Sequence, residues 1–258
     1  MFIDTHFHLN MIEESIDNQV NVIEKSISEG LRTGINIYTS PDALENNKNI
    51  LPKLNNLGFK TSCGWYPEYS PSQEMMDKLE EVIIKNDVFA IGEIGLEYYR
   101  MHKPKNEQIE LFELQMELAR KLKKPVIIHS RDAFEDTINV LKKYNDVKGI
   151  IHCFTGTKEM VRAYLDLGYY ISFAGNLTFK NARDLHEAIN YVPINKVFFE
   201  TDSPFLAPVP FRGQKNYPYF VKYTYTFASK LLEMDLDELV FLVKGNWEEF
   251  LNHYLHLV

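Results

Sequence analysis

The chain has 258 residues, of which 45% are hydrophobic and 25% are charged, as is usual for a globular protein. No apolar run approaches the ~18 residues of a membrane-spanning helix, and the first positive charge is Lys25, unlike the basic start of a secretory or transit signal. The net charge of −8 argues against a general coat for nucleic acid, so any such binding must be local. Cys63 and Cys153 lie outside any CxxC pattern, and we expect both to be reduced core residues of a cytoplasmic protein.

Short apolar runs recur along the chain, each followed by a turn and a longer segment with helical spacing. The eight runs are Phe2–Phe7, Gly34–Thr39, Lys60–Trp65, Val88–Ile94, Pro125–His129, Gly149–Phe154, Tyr169–Ala174 and Lys196–Glu200. After the fourth run, Ile109, Phe112 and Met116 share one face of a predicted helix. Strands that alternate with helices form parallel βαβ units, and eight units predict a closed (β/α)8 TIM-type barrel.

An open doubly wound sheet is the alternative fold. However, no G-x-G-x-x-G motif opens a helix, no G-x-x-x-x-G-K-[ST] motif occurs, and GEIG at 92–95 fits neither fingerprint. No linker, repeat or like-charge block divides the sequence, so we expect residues 1–258 to form a single domain.

Six residues with metal-binding side chains fall at the carboxyl ends of predicted strands: His6, His8, Glu93, His129, His152 and Asp202. These ends form one face of a barrel, where the side chains converge on the axis. His6 and His8 point to the same side because side chains alternate along a strand. We expect Gly92 and Gly95, close to Glu93, to leave room for an ion.

A lone strand histidine is more often a hydrogen-bonded core residue, and a lone buried carboxylate more often half of an ion pair. Six such groups at one place would be costly without partners, and metal binding explains them. They exceed the three or four protein ligands of one catalytic zinc, so we predict two divalent ions that activate water for hydrolysis. The ions would be zinc, manganese or magnesium, although imidazole ligands favour zinc and manganese over magnesium. The remaining histidines, to which we assign no role, are His102, His186, His253 and His256.

The strings around these residues resemble the TatD-type metal-dependent deoxyribonucleases, a family of amidohydrolase-like barrels. The matching strings are FIDTHFHLN, AIGEIGLEYYR, PVIIHSRDA, IIHCFTGT, YYISFAGNLTFKNA and FFETDSPFLAPVPFRGQKNYP. The DxHxH opening is shared with many hydrolases, whereas HCFTG and ETDSP…RGxxNxP are much more specific.

The resemblance implies a role for each of the six residues. His6, His8 and Asp202 would hold one ion, His129 and His152 the second, with Glu93 bridging both. Asp202 would also orient or deprotonate the attacking water, which makes Asp202 and Glu93 the implied catalytic residues. The implied activity is that of a 3′-to-5′ exodeoxyribonuclease.

Two positions depart from the pattern that the family commonly shows. The histidine of its GxHP string is Tyr66 here, and the aspartate of its GLDY string is Glu97. Neither is one of the six proposed ligands. We therefore expect that neither departure touches a ligand, that metal-dependent hydrolysis is retained, and that the departures bear on the placement and identity of the substrate.

The segments that follow the predicted strands combine aromatic residues with local cations, as suits a single-stranded nucleic acid. The predicted substrate-binding residues are Arg131, Arg212, Tyr98 and Arg100. Arg131 is the first choice for a phosphate contact because its planar guanidinium can bind two oxygens. The alternative is that these aromatic residues only cap the barrel. We expect DNA ends as the partner, without a membrane or an obligate protein partner.

Two other functions remain open. A pair of ions also activates water for attack on a carbonyl carbon, so an ester or amide hydrolase, such as an aminoacyl-tRNA deacylase or a lactonase, is the first alternative. The second is a metal-stabilised binding protein without turnover, which a fully ligated site would favour.

Overall fold

The computed structural model describes residues 1–255, so His256 lies outside the described residues. Eight parallel strands form one sheet in sequence order, which confirms the predicted (β/α)8 barrel. The strands are β1 (Phe2–Phe7), β2 (Leu31–Tyr38), β3 (Lys60–Cys63), β4 (Ala90–Glu97), β5 (Val126–Arg131), β6 (Gly149–Ile151), β7 (Tyr170–Phe173) and β8 (Val197–Phe199).

Helices cover the outside of the barrel. They are α1 (Leu9–Ile12), α2 (Ile16–Ser28), α3 (Pro41–Asn47), α4 (Leu51–Asn56), α5 (Gln73–Lys85), α6 (Lys105–Leu122), α7 (Phe134–Lys143), α8 (Lys158–Asp166), α9 (Arg183–Ala188), α10 (Val221–Leu231) and α11 (Leu236–Leu255). On α6 the predicted apolar face is buried at Phe112 and Met116 and half-buried at Ile109. No helix within residues 1–255 is both long and apolar enough to cross a membrane.

The seam between β8 and β1 closes just beyond the last residue of β8. A single parallel bridge joins Phe7 to Ser203, and the backbone N–H of Asp202 donates to the carbonyl of His6 at 2.9 Å. Behind this bridge, the buried carboxyl group of Asp4 accepts hydrogen bonds from the backbone N–H and the hydroxyl of Thr201, at 2.9 and 2.6 Å. The seam therefore places Asp202 beside His6 and His8, where β1 ends.

Strand β4 is longer than its apolar run predicts, because its last four residues pair with the end of β5. The close approach of β4 and β5 explains why positions 92 and 95 are glycine. A Cβ on Gly92 would lie 2.6 Å from the Cβ of Ile127, and a Cβ on Gly95 would lie 2.0 Å from the carbonyl oxygen of His129. The expectation that these glycines leave room for an ion is wrong, since they make room for the backbone and side chains of β5.

Candidate metal centre

All six predicted metal-binding residues meet at the carboxyl end of the barrel, and Glu93 lies between the two pairs of imidazoles. One carboxylate oxygen of Glu93, Oε1, is 2.8 Å from Nδ1 of His129 and 3.0 Å from Nε2 of His152. The other oxygen, Oε2, is 3.4 Å from Nε2 of His6 and 3.8 Å from Nε2 of His8. Each oxygen of Glu93 thus faces a different pair of histidines.

Asp202 faces His6 and His8 at the carboxyl end of β1. Its Oδ1 atom lies 3.7 Å from Nε2 of His6 and 3.6 Å from Nε2 of His8. The chain at Asp202 has left β8 and runs alongside β1, so the seam described above fixes this carboxylate. Its side chain is 14% exposed, so Asp202 reaches the solvent-facing cleft while the two histidines remain buried.

The spacing of these donor atoms fits metal coordination. Two ligands about 2.1 Å from a tetrahedral ion lie about 3.4 Å apart. The donor atoms form three groups, and within each group all atoms lie within 4.8 Å of one another. The groups are His6, His8 and Glu93; Glu93, His129 and His152; and His6, His152 and Asp202. The residues present therefore fit divalent ions, and the role of each residue as a ligand stays a prediction.

Contacts on the outer side of the imidazoles set which nitrogen faces the cluster. The Nδ1 atom of His8 lies 3.1 Å from the carbonyl of Ile37, and Nδ1 of His152 lies 3.0 Å from Oε1 of Glu200. Both rings can donate through Nδ1 and present Nε2 to an ion, an arrangement common around bound metals. Within residues 1–255, Nδ1 of His6 is buried without a hydrogen-bond partner.

Sequence reasoning missed the contact between Glu200 and His152. Glu200 is fully buried and also accepts a hydrogen bond from the backbone N–H of Cys153 at 2.7 Å. The available signal was a carboxyl group at the end of an apolar run, FFE, because a charge at such a place needs a buried partner.

The cluster strongly perturbs the protonation of its members. Burial acts to raise the pKa of Glu93, but His152 and His129 outweigh it and hold this pKa well below its usual value. Burial acts to lower the pKa of His152, while Glu93 and Glu200 outweigh it and hold this pKa well above its usual value. Without ions the site therefore favours a carboxylate beside protonated imidazole, so metal binding must displace protons.

The two departures from the family pattern meet at His129. The hydroxyl of Tyr66 lies 3.2 Å from Nε2 of His129, and Oε2 of Glu97 lies 3.4 Å from the same nitrogen. The expectation that neither departure touches a proposed ligand is therefore wrong, because both side chains contact His129. Sequence spacing could not reveal this, since Tyr66 and His129 are 63 positions apart.

A cleft of about 940 Å³ is lined by all of the clustered residues except His6. It also contains three of the four predicted substrate-binding residues. The guanidinium of Arg131 lies 4.2 Å from the ring centre of Tyr99, and that of Arg212 lies 4.3 Å from the ring centre of Phe179. Arg100 also lines the cleft. Two cations are thus held against aromatic faces at the mouth of the site.

Tyr98 and Cys153 do not lie where the sequence predicts them. Tyr98 lines a neighbouring cavity of about 420 Å³, where its hydroxyl donates to Oδ2 of Asp136 at 2.8 Å. Cys63 is buried as expected, but Cys153 is half-buried in the wall of the main cleft. The expectation that Cys153 is a core residue is therefore wrong, because its backbone follows His152 into the site.

Comparison with known proteins supports the same chemistry. A family model described as TatD related DNase matches residues 3–252. YcfH of Escherichia coli strain K12, named an uncharacterized metal-dependent hydrolase, is 35% identical over 249 residues, which cover 95% of this chain and 93% of YcfH. YabD of Bacillus subtilis carries the same description and is 34% identical over 250 residues, which cover 95% of this chain and 97% of YabD.

Solved structures show the same architecture. The crystal structure of YJJV, a TatD homolog from E. coli K12, has a TM-score of 0.83, 25% sequence identity and 95% coverage of both chains. A mutant organophosphorus hydrolase from Deinococcus radiodurans shares the fold at a TM-score of 0.54 and 11% identity, over 78% of this chain and 75% of that one. The family match covers nearly the whole barrel, including all six clustered residues. The chain therefore belongs to the TatD-related DNase family and is a metal-dependent hydrolase.

Proposed function

We propose that this hydrolase is a 3′-to-5′ exodeoxyribonuclease that uses two divalent ions at the carboxyl end of its barrel. The observation that carries the proposal is the position of Glu93, whose two oxygens face two separate histidine pairs. His6, His8 and Asp202 would hold one ion, His129 and His152 the other, and Glu93 both. When bound, such ions lower the pKa of water and polarise phosphoryl oxygens.

The charges around the imidazoles support two ions. Four carboxyl groups contact the clustered histidines: Glu93, Glu97, Glu200 and Asp202. Counted as carboxylates they carry four negative charges, which two divalent cations balance while the imidazoles are neutral ligands. With a single divalent ion, protonated imidazoles would have to balance the other half of this charge, and a protonated imidazole has no lone pair left to bind a metal.

Asp202 is suited to take a proton from the attacking water. Its carboxylate is partly exposed at the floor of the cleft, and its Oδ1 atom is held near His6 and His8. Burial acts to raise the pKa of Asp202, but the proximity of His8 and the charge of His152 outweigh it and lower this pKa. The group is therefore ionised and able to accept a proton at neutral pH.

The mouth of the cleft suits the end of a single DNA strand. Arg131 and Arg212 can each donate to phosphate oxygens while the neighbouring rings of Tyr99 and Phe179 offer stacking surfaces for bases. Tyr99 is 66% exposed, so its ring is accessible. These cations are local in a chain of net charge −8, which favours action at ends over coating of long strands.

The proposal is tested with the metal-reconstituted protein and oligonucleotides labelled at the 5′ end. We expect stepwise shortening from the 3′ end, release of mononucleotides, and loss of both when a chelator is added. Asp202→Asn should lower this activity by at least about 100-fold. Arg162→Ala, at a side chain that is 86% exposed on α8, should leave it unchanged. If no DNA substrate is shortened while the same preparation deacylates charged tRNA or opens a lactone, the ester or amide alternative replaces the nuclease. Absence of turnover on every substrate would favour the binding protein.

A further inference from the structure

We propose that Glu97 and Tyr66 are positioning residues that hold the proton of His129 on Nε2, so that Nδ1 is the nitrogen offered to the second ion. The proposal rests on the second metal position of the proposed function and identifies what this chain uses to support it. It concerns the two residues at which the chain departs from its family's usual histidine and aspartate.

The contacts of Nε2 decide which proton His129 would keep when an ion binds at Nδ1. A carboxylate can only accept, so the hydroxyl of Tyr66 donates to Oε2 of Glu97, 3.3 Å away. The phenol oxygen and the carboxylate are then both acceptors, at 3.2 and 3.4 Å from Nε2 of His129. Nε2 therefore carries a proton held by these two acceptors. Nδ1 lies 2.8 Å from Oε1 of Glu93 and 3.2 Å from Nε2 of His152, so in the ion-free protein it also donates to a carboxylate. An ion that binds Nδ1 would displace that proton and leave the one on Nε2.

The four imidazoles do not all present the same nitrogen. His8 and His152 turn Nε2 to the cluster because their Nδ1 atoms face a carbonyl and a carboxylate. His129 is reversed and turns Nδ1 to the cluster. A reversed imidazole needs acceptors on its far side, and Glu97 and Tyr66 provide them.

Glu97 is held rigidly enough to orient a ring. Its other oxygen, Oε1, accepts the backbone N–H groups of Tyr99 and Arg100 at 2.9 and 3.0 Å. Its own backbone is paired with the side chain of Gln108, at 2.8 Å through N–H and 3.2 Å through the carbonyl. The side chain of Glu97 is 1% exposed. A buried carboxylate fixed by several donors is the kind of partner that locks a metal-binding imidazole in place.

The two departures also fit each other. An aspartate at position 97 would be one methylene shorter, which withdraws its oxygens by about 1.5 Å from His129. The phenol of Tyr66 reaches both Glu97 and His129 and packs on the imidazole with ring centres 5.1 Å apart. The glutamate and the tyrosine therefore act as a matched pair, and replacing one alone breaks the contact network.

The first test reads the tautomer directly. Long-range proton–nitrogen NMR of the zinc-loaded protein should show His129 protonated on Nε2 and His8 and His152 protonated on Nδ1. An Nδ1–H tautomer at His129 in the loaded protein would overturn the proposal.

The second test measures zinc binding by calorimetry, in which we expect two steps for the unmodified chain. Glu97→Gln should weaken one step by roughly 10–100-fold and leave the other within about two-fold, because changes behind a metal ligand typically cost that much. Tyr66→Phe, which keeps the ring, should weaken the same step. Glu97→Asp alone should also weaken it, and Tyr66→His combined with Glu97→Asp should restore it.

Two control variants match the chemical changes at other places. Tyr169→Phe removes a buried hydroxyl that donates to the carbonyl of Val147, and Glu45→Gln removes a carboxylate that contacts Lys48 and Lys85. Neither should change zinc binding. Equal weakening of both steps by Glu97→Gln, together with a lowered melting temperature, would show a general structural role and overturn the proposal.

His129→Ala separates this inference from the proposed function. If His129→Ala leaves both zinc steps unchanged, the second metal position itself is wrong, and the inference falls with it. If His129→Ala removes one step while Glu97→Gln and Tyr66→Phe do not alter it, the metal position stands and only the positioning role is overturned.

Discussion

Glu93 is the residue whose replacement tests the centre most directly, because it contacts imidazoles of both pairs. Glu93→Gln keeps the shape of the side chain and removes its charge. A change in a residue that only supports a ligand typically costs 10–100-fold in metal affinity or activity. Glu93 faces both donor groups, at 2.8 to 3.8 Å, so we expect the variant to lose more than roughly 100-fold in turnover at a fixed metal concentration.

The same variant should change the stability of the metal-free protein in a pH-dependent way. In the folded state Glu93 has a lowered pKa and His152 a raised one. The contribution of Glu93 is present above its unfolded pKa of about 4.3, and that of His152 below its unfolded pKa of about 6.5. Their pairing therefore stabilises the fold most between about pH 4.5 and 6.5, and the stabilisation is lost as the pH rises through the raised pKa of His152.

Breaking a buried pair from one side typically costs about 3–5 kcal/mol, which corresponds to roughly 6–20 °C in melting temperature for a protein of this size. We expect a difference of that order between the unmodified chain and Glu93→Gln near pH 6 in excess chelator, shrinking toward pH 9. Calorimetric melting across this pH range measures it. A difference that stays constant or grows with pH would refute the pairing of Glu93 with protonated imidazole.

Three further variants address the other parts of the site. Asp202→Asn should lower kcat at saturating metal by about 10²–10⁴-fold, the usual contribution of a general base, and a loss below about 10-fold in single-turnover assays would contradict that role. Arg131→Ala should raise KM for oligonucleotides by about 10-fold or more, as expected for a charge-assisted hydrogen bond, with kcat nearly unchanged, and an unchanged KM would remove Arg131 from the phosphate site. Thr201→Val should lower the free energy of unfolding, measured by denaturant titration, by about 1–3 kcal/mol. The reason is that buried Asp4 at the seam loses the hydrogen bond from the hydroxyl of Thr201.

The parts of the fold that the sequence predicts are those set by local periodicity. The eight apolar runs give the eight strands, and the period of two in a strand places His6 and His8 on the same side. The parallel arrangement then gathers residues at strand ends, which is why six positions scattered from 6 to 202 could be expected at one rim.

The contacts behind the ligands depend on distances along the chain that no local pattern encodes. Glu200 and His152 are 48 positions apart, and Thr201 and Asp4 are 197 positions apart. Similarly, Gly95 looks like a residue that makes space for an ion, but the atom that a Cβ would meet belongs to His129 of the adjacent strand. Pairing register between strands decides these contacts, and register is a property of the assembled barrel.

The proposed metal ligands and the proposed substrate contacts are held in place by different kinds of interaction. The clustered histidines are fixed on or beside buried strands, with carboxylates or a carbonyl behind three of them, so replacing one histidine disturbs several groups at once. Arg212 is exposed and rests on one aromatic ring, so its replacement changes the mouth of the cleft at small cost to the fold. If the substrate were not DNA, the proposed roles of the residues at the mouth of the cleft would change. The proposed binding of the ions by Glu93 and the two histidine pairs would not. Conversely, a failure of ion binding at those pairs would remove the hydrolytic mechanism whatever the mouth of the cleft binds.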